Sequence, residues 1–177
     1  MINGHKRVPR QDVIHVNHPV HCQLLADVLG KPFDDAGGYA CISRTLNDDL
    51  LGGALYNHFN GVSVEIHVAS SHPRWLTRNA LYIAFWYPFD QLGVTKLVGV
   101  VPSANKVALK FDLDLGFKEE ARLQDVVPGG EAVILSMRRE QCRWLAHKPT
   151  GLHVVQHREG PHHGQLNEQR TAGTRPH

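Results

Sequence analysis

Apolar and polar positions along this chain fall into short blocks whose period changes from one to the next. Residues 13–16 are a brief apolar run that predicts a first strand. Asn17 then offers a helix N-cap, with Pro19 in the first turn. Val20, Leu24, Leu25 and Val28 recur at helical spacing up to Gly30, a residue suited to the position just past a helix. From residue 38 to 69 the period becomes two. Residues 39–46, 50–59 and 62–68 read as strands separated by Asn47-Asp48 and Asn60-Gly61, and Asn-Gly between apolar runs is a strong hairpin signal because both turn positions need positive φ. Three strands joined in this way predict an antiparallel meander. A second helix is expected over residues 76–87, kinked or ended by Pro88, which lacks a donor and crowds the preceding turn. A strand at 96–101, a helix at 104–115 closed by Gly116-Phe117, and strands near 117–123 and 132–138 on either side of Pro128-Gly129-Gly130 complete the pattern. In the 104–115 helix, Ser103 is the expected N-cap, and Val107, Ala108, Phe111 and Leu115 form the expected inward stripe. The order predicts an α+β (mixed α/β) fold with helices on the faces of one sheet.

Composition narrows this only modestly. The 177 residues suffice for one domain with a real core, and the apolar fraction of 42% and charged fraction of 20% are ordinary for a globular protein. A formal net charge of +2 argues against nucleic acid as the main partner. Cys22, Cys41 and Cys142 are odd in number and far apart, which fits free thiols in a reducing compartment. The first dozen residues lack the apolar centre of a signal peptide, and no run approaches the ~18 apolar residues that span a membrane. The expectation is a cytoplasmic protein with no membrane partner; a homodimer is left open. Residues 1–145 are expected to form the single domain. Residues 146–177 contain six histidines with prolines, glycines and little periodicity, and are expected to be mobile because they offer little apolar surface to bury.

Three places hold candidate chemistry. In residues 62–68, Val62, Val64, Ile66 and Val68 face one side of the strand, and Ser63, Glu65 and His67 the other. A carboxylate and an imidazole about 7 Å apart on a mid-sheet strand must be hydrogen-bonded or line a cleft. They are either a general base, Glu65 with His67, or part of a solvated outer face. Residues 71–79 lead from that strand into the second helix and place Arg74 and Arg78 with free backbone donors where a phosphate could sit; the alternative is a plain helix entry with surface arginines. Asn105, just after Ser103, is free to point its amide into a crevice or is simply a polar helix-start residue. His18, His21 and Cys22 have zinc-like spacing without a matching second cluster, so no metal site is expected, and the tail histidines are too irregularly spaced for a tetrahedral set.

The segment from Asn105 through Ala108 and Phe111 to Leu115-Gly116-Phe117, together with residues 51–55 (Leu-Gly-Gly-Ala-Leu) and 62–68, resembles the GNAT superfamily of acetyl-coenzyme A-dependent N-acetyltransferases over roughly residues 13–137. Residues 137–144 also resemble the ending of small GNAT proteins from tailed bacteriophages. The resemblance implies a largely antiparallel central sheet of about six or seven strands with three or four helices. It implies acetyl-CoA as cosubstrate, held in a V-shaped opening between the fourth and fifth strands. There the pantetheine would pair with backbone around His67, Val68 and Ala69. The pyrophosphate would sit on the loop of Arg74, Trp75, Leu76, Thr77, Arg78 and Asn79, Asn105 would touch the coenzyme, and Glu65 would act as base on an unidentified amine acceptor. Two departures stand out. That loop has no glycine, where the family usually carries several. Asp112 occupies the place of a tyrosine that protonates the departing thiolate, and an ionised aspartate has no proton to give, which leaves another group such as Tyr82 or Tyr87, or water, as the acid, or no acid at all. These departures motivate a second reading, a non-catalytic GNAT-like module with a structural or interaction role.

Overall fold

The computed structural model describes residues 11–31 and 38–157. Its strands are β1 (Asp12–Val16), β2 (Ala40–Leu46), β3 (Asp49–Asn57), β4 (Ser63–Ser70), β5 (Lys96–Pro102), β6 (Lys118–Val127), β7 (Gly130–Arg138) and β8 (Val154–Gln156). Its α-helices are α1 (Pro19–Val28), α2 (Arg78–Trp86) and α3 (Lys106–Leu115). All eight strands lie in one sheet, ordered β6-β7-β5-β4-β3-β2-β1-β8. The meander β2-β3-β4 is antiparallel as expected, whereas β4–β5 and β1–β8 are parallel.

The β2–β3 turn is the tight one. Asn47 and Asp48 have φ of 52° and 69°, the left-handed pair a two-residue hairpin needs. The Asn60-Gly61 join is looser. His58 (φ 54°) and Gly61 (φ 85°) take the left-handed conformations, and Asn60 Oδ1 accepts from the backbone N–H of Val62 and Ser63. Here the asparagine organises the loop through its side chain.

Each face of the sheet has its own core. One face carries Ile14, Val16, Ile42, Tyr56, Val64, Leu97, Val101, Leu135 and Met137, covered by Leu81, Phe85 and other residues of α2 and by Leu115 of α3. The other buries Cys22, Leu25 and Ala26 of α1 against Cys41, Leu55 and Ala69. The orientation of α1 therefore corrects the expected stripe: Leu25 points inward, but Val20, Leu24 and Val28 are exposed. Gly53 explains the choice, because a Cβ there would come within 2.8 Å of Leu25 Cδ1, so the bare backbone of β3 is the socket for that leucine.

Other helix ends also differ from expectation. His18, not Asn17, caps α1. Asn17 (φ 55°) is buried; its Nδ2 donates to Tyr87 Oη and its Oδ1 accepts from Cys41 N–H. A buried asparagine that bridges two elements is more valuable than one exposed cap. Pro88 does not end the second helix abruptly; residues Tyr87–Gln91 continue it as one wide π turn. In α3, Val107 is 83% exposed, and Leu109 packs inward with Ala108 and Phe111. Gly116 (φ 111°) closes α3 as expected.

The segment expected to be mobile from residue 146 behaves differently as far as residue 157. A 3-10 turn at Arg143–Ala146 packs Trp144 and Leu145 on the core, Trp144 Nε1 donates to Leu115 O, and the chain then crosses to pair as β8 with β1. Leu152 packs on the core, and the residues after it pair with a sheet edge that satisfies their backbone groups. The histidines at 162, 163 and 177 lie outside the described residues. Among the described residues no helix is long and apolar enough to cross a membrane.

Candidate active site

The ladder between β4 and β5 is short. Ser63 pairs with Lys96, Val64 with Leu97 and Glu65 with Val98, and the pairing stops there. β4 continues to Ser70 on its β3 side, and β5 continues to Pro102 on its β7 side. From Ile66 and Gly99 onward each strand therefore has one open edge facing the other. Backbone N–H and C=O groups on such edges need partners from water or a ligand. Ile66, His67, Val68 and Ala69 all lie on this diverging stretch.

Glu65 and His67 share the face covered by α1, opposite the face that carries Val64, and both flank the point where the strands part. Register explains their company: Asn57 lies across from Glu65, and Leu55 across from His67. His67 Nε2–H donates to Asn57 Oδ1 at 3.0 Å and lies 3.3 Å from Glu65 Oε1. Asn57 can only accept there, so the His67 proton sits on Nε2. Burial lowers the His67 pKa to about 4, against the opposing charge of Glu65. The imidazole is thus neutral at pH 7. The second carboxylate oxygen of Glu65 accepts from His58 Nδ1–H at 2.6 Å. The Glu65 side chain is 15% exposed and that of His58 73%, so His58 connects a sheltered carboxylate to solvent. His58 and Asn57 were not singled out in the sequence; the β3–β4 hairpin register is the signal that places them beside Glu65.

On the opposite face, α3 runs back along β5. A methyl group built on Gly99 would lie 3.9 Å from Asp112 Oδ2, so this carboxyl sits beside the first residue of β5 past the last closed rung. Burial raises the Asp112 pKa to about 6. With that value the carboxyl is still mostly ionised at pH 7, as the sequence predicts, and desolvation keeps a neutral fraction with a proton to give that grows as pH falls through about 6. Tyr87 is occupied elsewhere. It packs 5.7 Å from Tyr56 and takes the Asn17 hydrogen bond, and burial pushes its hydroxyl up to about 12.

The remaining candidates are dispersed. Asn105 is itself the N-cap of α3, its Oδ1 accepting from Ala108 N–H at 3.1 Å, so the expected Ser103 cap does not form. The 71–77 segment runs from β4 across β3 to β2. Arg44, buried on β2, donates to the carbonyls of Arg74 (2.6 Å) and Trp75 (3.0 Å) and pairs with both carboxylate oxygens of Asp12 at 2.8 Å. Trp75 is buried, Leu76 packs on the core, Thr77 caps α2 by accepting from Ala80 N–H, and Asn79 Nδ2 donates to Thr150 O. Arg74 and Arg78 follow this path toward the β1–β2 side of the sheet. Arg44→Met orphans two carbonyls and frees the loop; a loss of about 2 kcal/mol in urea unfolding is expected, with local exchange at residues 71–77 accelerated.

Among the described residues no three His, Cys, Asp or Glu side chains are arranged to hold a metal ion. Cys22 is in the core beside Cys41, away from any ligand role with His18 and His21.

No protein-family model matches the sequence, and no curated protein matches it. Solved structures do. Spermidine N-acetyltransferase from Vibrio cholerae in complex with CoA and spermine superimposes with a TM-score of 0.60 at 13% identity, covering 74% of this chain and 97% of that one. The spermidine/spermine N-acetyltransferase SpeG of the same organism, crystallised with manganese ions, gives 0.61 at 14% identity over 78% and 98%. A dodecameric form of the enzyme gives 0.60 at 12% identity over 73% and 95%. At these identities the likeness concerns architecture: the chain has the GNAT-like fold, with an eight-stranded mixed sheet that opens between β4 and β5.

Proposed function

We propose that this chain is an acetyl-CoA-dependent N-acetyltransferase that moves the acetyl group directly from the thioester to a primary amine. The observation that carries the reading is the three-rung β4–β5 ladder, with a sheltered carboxylate on one side of its end and a desolvated carboxyl on the other. The open edges of Ile66–Ala69 and Gly99–Val101 suit an amide-bearing pantetheine arm, which would supply the partners those groups need. The structural neighbours, whose names record polyamine acetylation and, in one case, bound CoA and spermine, support the same chemistry.

In this mechanism the amine nitrogen attacks the thioester carbonyl carbon, a C–N bond forms, and the C–S bond breaks. Glu65 takes the amine proton and returns it to solvent, through His58 once that exposed ring has exchanged its Nδ1 proton for one on Nε2 with water. His67, held neutral with its proton on Nε2, fixes the Glu65 carboxylate. Asp112 gives a proton to the departing sulfur and is reprotonated from water. Positioning two reactants in one slot supplies much of the rate, and the carboxylate adds the general-base contribution. The glycine-free 71–79 segment is the weakest part of the fit. Arg74 and Arg78 would have to meet the pyrophosphate with side chains, since without glycine the loop backbone N–H groups are less able to approach it closely.

Acetyl-CoA consumption against a panel of amines, with spermidine and spermine first, tests the reading. Turnover with one class of amine is expected. No turnover together with no CoA binding at high micromolar concentration would favour the non-catalytic module. Asp112→Asn separates the acid from the slot. It is expected to lower kcat roughly tenfold or more while changing the KM for acetyl-CoA less than about threefold, and to remove the fall in rate as pH rises through about 6. An unchanged pH profile in that variant would leave Tyr82 or water as the acid.

A further inference from the structure

Four imidazoles that take no part in the proposed chemistry meet at the opposite edge of the sheet. His15 comes from β1, His18 and His21 from the cap and first turn of α1, and His157 from the residue after β8. The His18 and His21 rings stack with centroids 3.9 Å apart, His157 lies 4.3 Å from His18 and 5.1 Å from His15, and His15 lies 4.9 Å from His21. His15 Nδ1 and His157 Nε2 share one proton in a 2.9 Å hydrogen bond. The outer nitrogens are taken as well: His15 Nε2 bonds Thr45 Oγ1 at 3.0 Å, His21 Nδ1 bonds Ser43 Oγ at 2.8 Å, and His18 Nδ1 accepts the capping N–H of His21.

We infer that this cluster is a proton-operated latch that holds residues 147–157 onto the sheet and releases them in mild acid. The strap behind the latch is thinly attached. β8 has three residues, lies at the edge of the sheet, pairs with β1 alone among the described residues, and leaves two of its residues exposed. Ile14 N–H donates to His153 O before β8, and His157 N–H donates to Val16 O after it. Upstream, Gly151, Leu152 and His153 roof a cavity of about 60 Å³ over Asp12, Ile14, Thr77 and Asn79, and Asn79 Nδ2 reaches Thr150 O at a long 3.4 Å. Opening the latch would therefore free β8, expose the β1 edge and uncover the first turn of α2.

The sign follows from the packing. One neutral imidazole can donate to another, but a second proton in the His15–His157 bond removes its acceptor. Burial, followed by the neighbouring imidazoles, lowers His15 and takes His21 down to about 4; His157 is lowered by burial and by His18. Asp48 at the β2–β3 turn acts in the opposite sense on His15, and His153 adds to the lowering. Asp12 faces away and is held by Arg44. Folded pKa values below the unfolded 6.5 mean that the latch stability is fully present above about pH 6.5 and is lost as pH falls toward 4.

Amide hydrogen exchange on the full chain from pH 7.5 to 4.5, corrected for intrinsic rates, tests this. Protection of Ile14, Val155 and His157 N–H is expected to fall roughly tenfold per pH unit below about 6.5, while that of β3 holds. His157→Gln keeps a hydrogen-bonding group without a titrating one and is expected to flatten that slope. If the variant proves poorly folded, imidazole titration of the wild-type chain by NMR decides the same question, with two or more rings titrating together below 6 expected. Flat β8 protection down to pH 4.5, loss only in step with β3, or a transition metal retained at the cluster through dialysis at neutral pH would each overturn the latch.

Discussion

Glu65→Gln is expected to lower acetyl transfer by roughly two to three orders of magnitude, with little change in the KM for acetyl-CoA. The substitution keeps the shape and one acceptor oxygen, turns the other oxygen into an NH2 donor, and removes the anion that takes the amine proton. The geometry says why the loss should be large. The carboxylate is 15% exposed, sits at the last closed rung between β4 and β5, and has a hydrogen-bonded route to solvent through His58. His67 cannot take over, because burial lowers it to about 4 and its Nε2 already serves Asn57. His58→Gln should be milder, about threefold to tenfold, since water can replace an exposed relay. Progress curves with saturating amine, read as kcat and KM separately, check both. Normal turnover by the Glu65→Gln enzyme would remove Glu65 from the role.

Gly53→Ala is expected to cost about 3 kcal/mol and lower the Tm by roughly 6–12 °C. A Cβ there would lie 2.4 Å from Ile42 O, 2.8 Å from Leu25 Cδ1 and 3.1 Å from Ser43 Cα. The first contact is with backbone of the neighbouring strand and cannot be relieved by a side-chain rotation. Either β2 and β3 separate or α1 lifts. Gly99→Ala is the control. Its nearest contacts would be 3.8 and 3.9 Å, ordinary van der Waals distances, so its thermal midpoint should move little. Equal loss in the two variants would mean that the close contacts at Gly53 are not the cause.

Much of the fold was legible because local chemistry and tertiary structure agree. Asn47-Asp48 turns where two left-handed residues are needed, Val64 and its alternating neighbours set one face of β4, and Gly116 ends α3. Where two patterns of equal quality coexist, only packing decides. In α1 both Val20-Leu24-Val28 and Cys22-Leu25-Ala26 are helical stripes, and the buried one is the stripe that fits the bare Gly53 backbone. β8 was illegible because three residues next to an edge have no period, and their partner is some 140 residues away in sequence. The candidate site was half legible. Alternation placed Glu65 and His67 together, but no local signal reports that α3 carries Asp112 back beside Gly99, or that the dry surroundings there change its proton affinity.

The most direct measurement is the exchange of the Ile66–Ala69 and Gly99–Val101 amides with and without saturating CoA. The slot-facing amides should gain at least about tenfold protection, because the bound arm takes over their hydrogen bonds. CoA binding that leaves both stretches unchanged, or no binding at all, would contradict the claim that the open β4–β5 edges grip a thioester carrier.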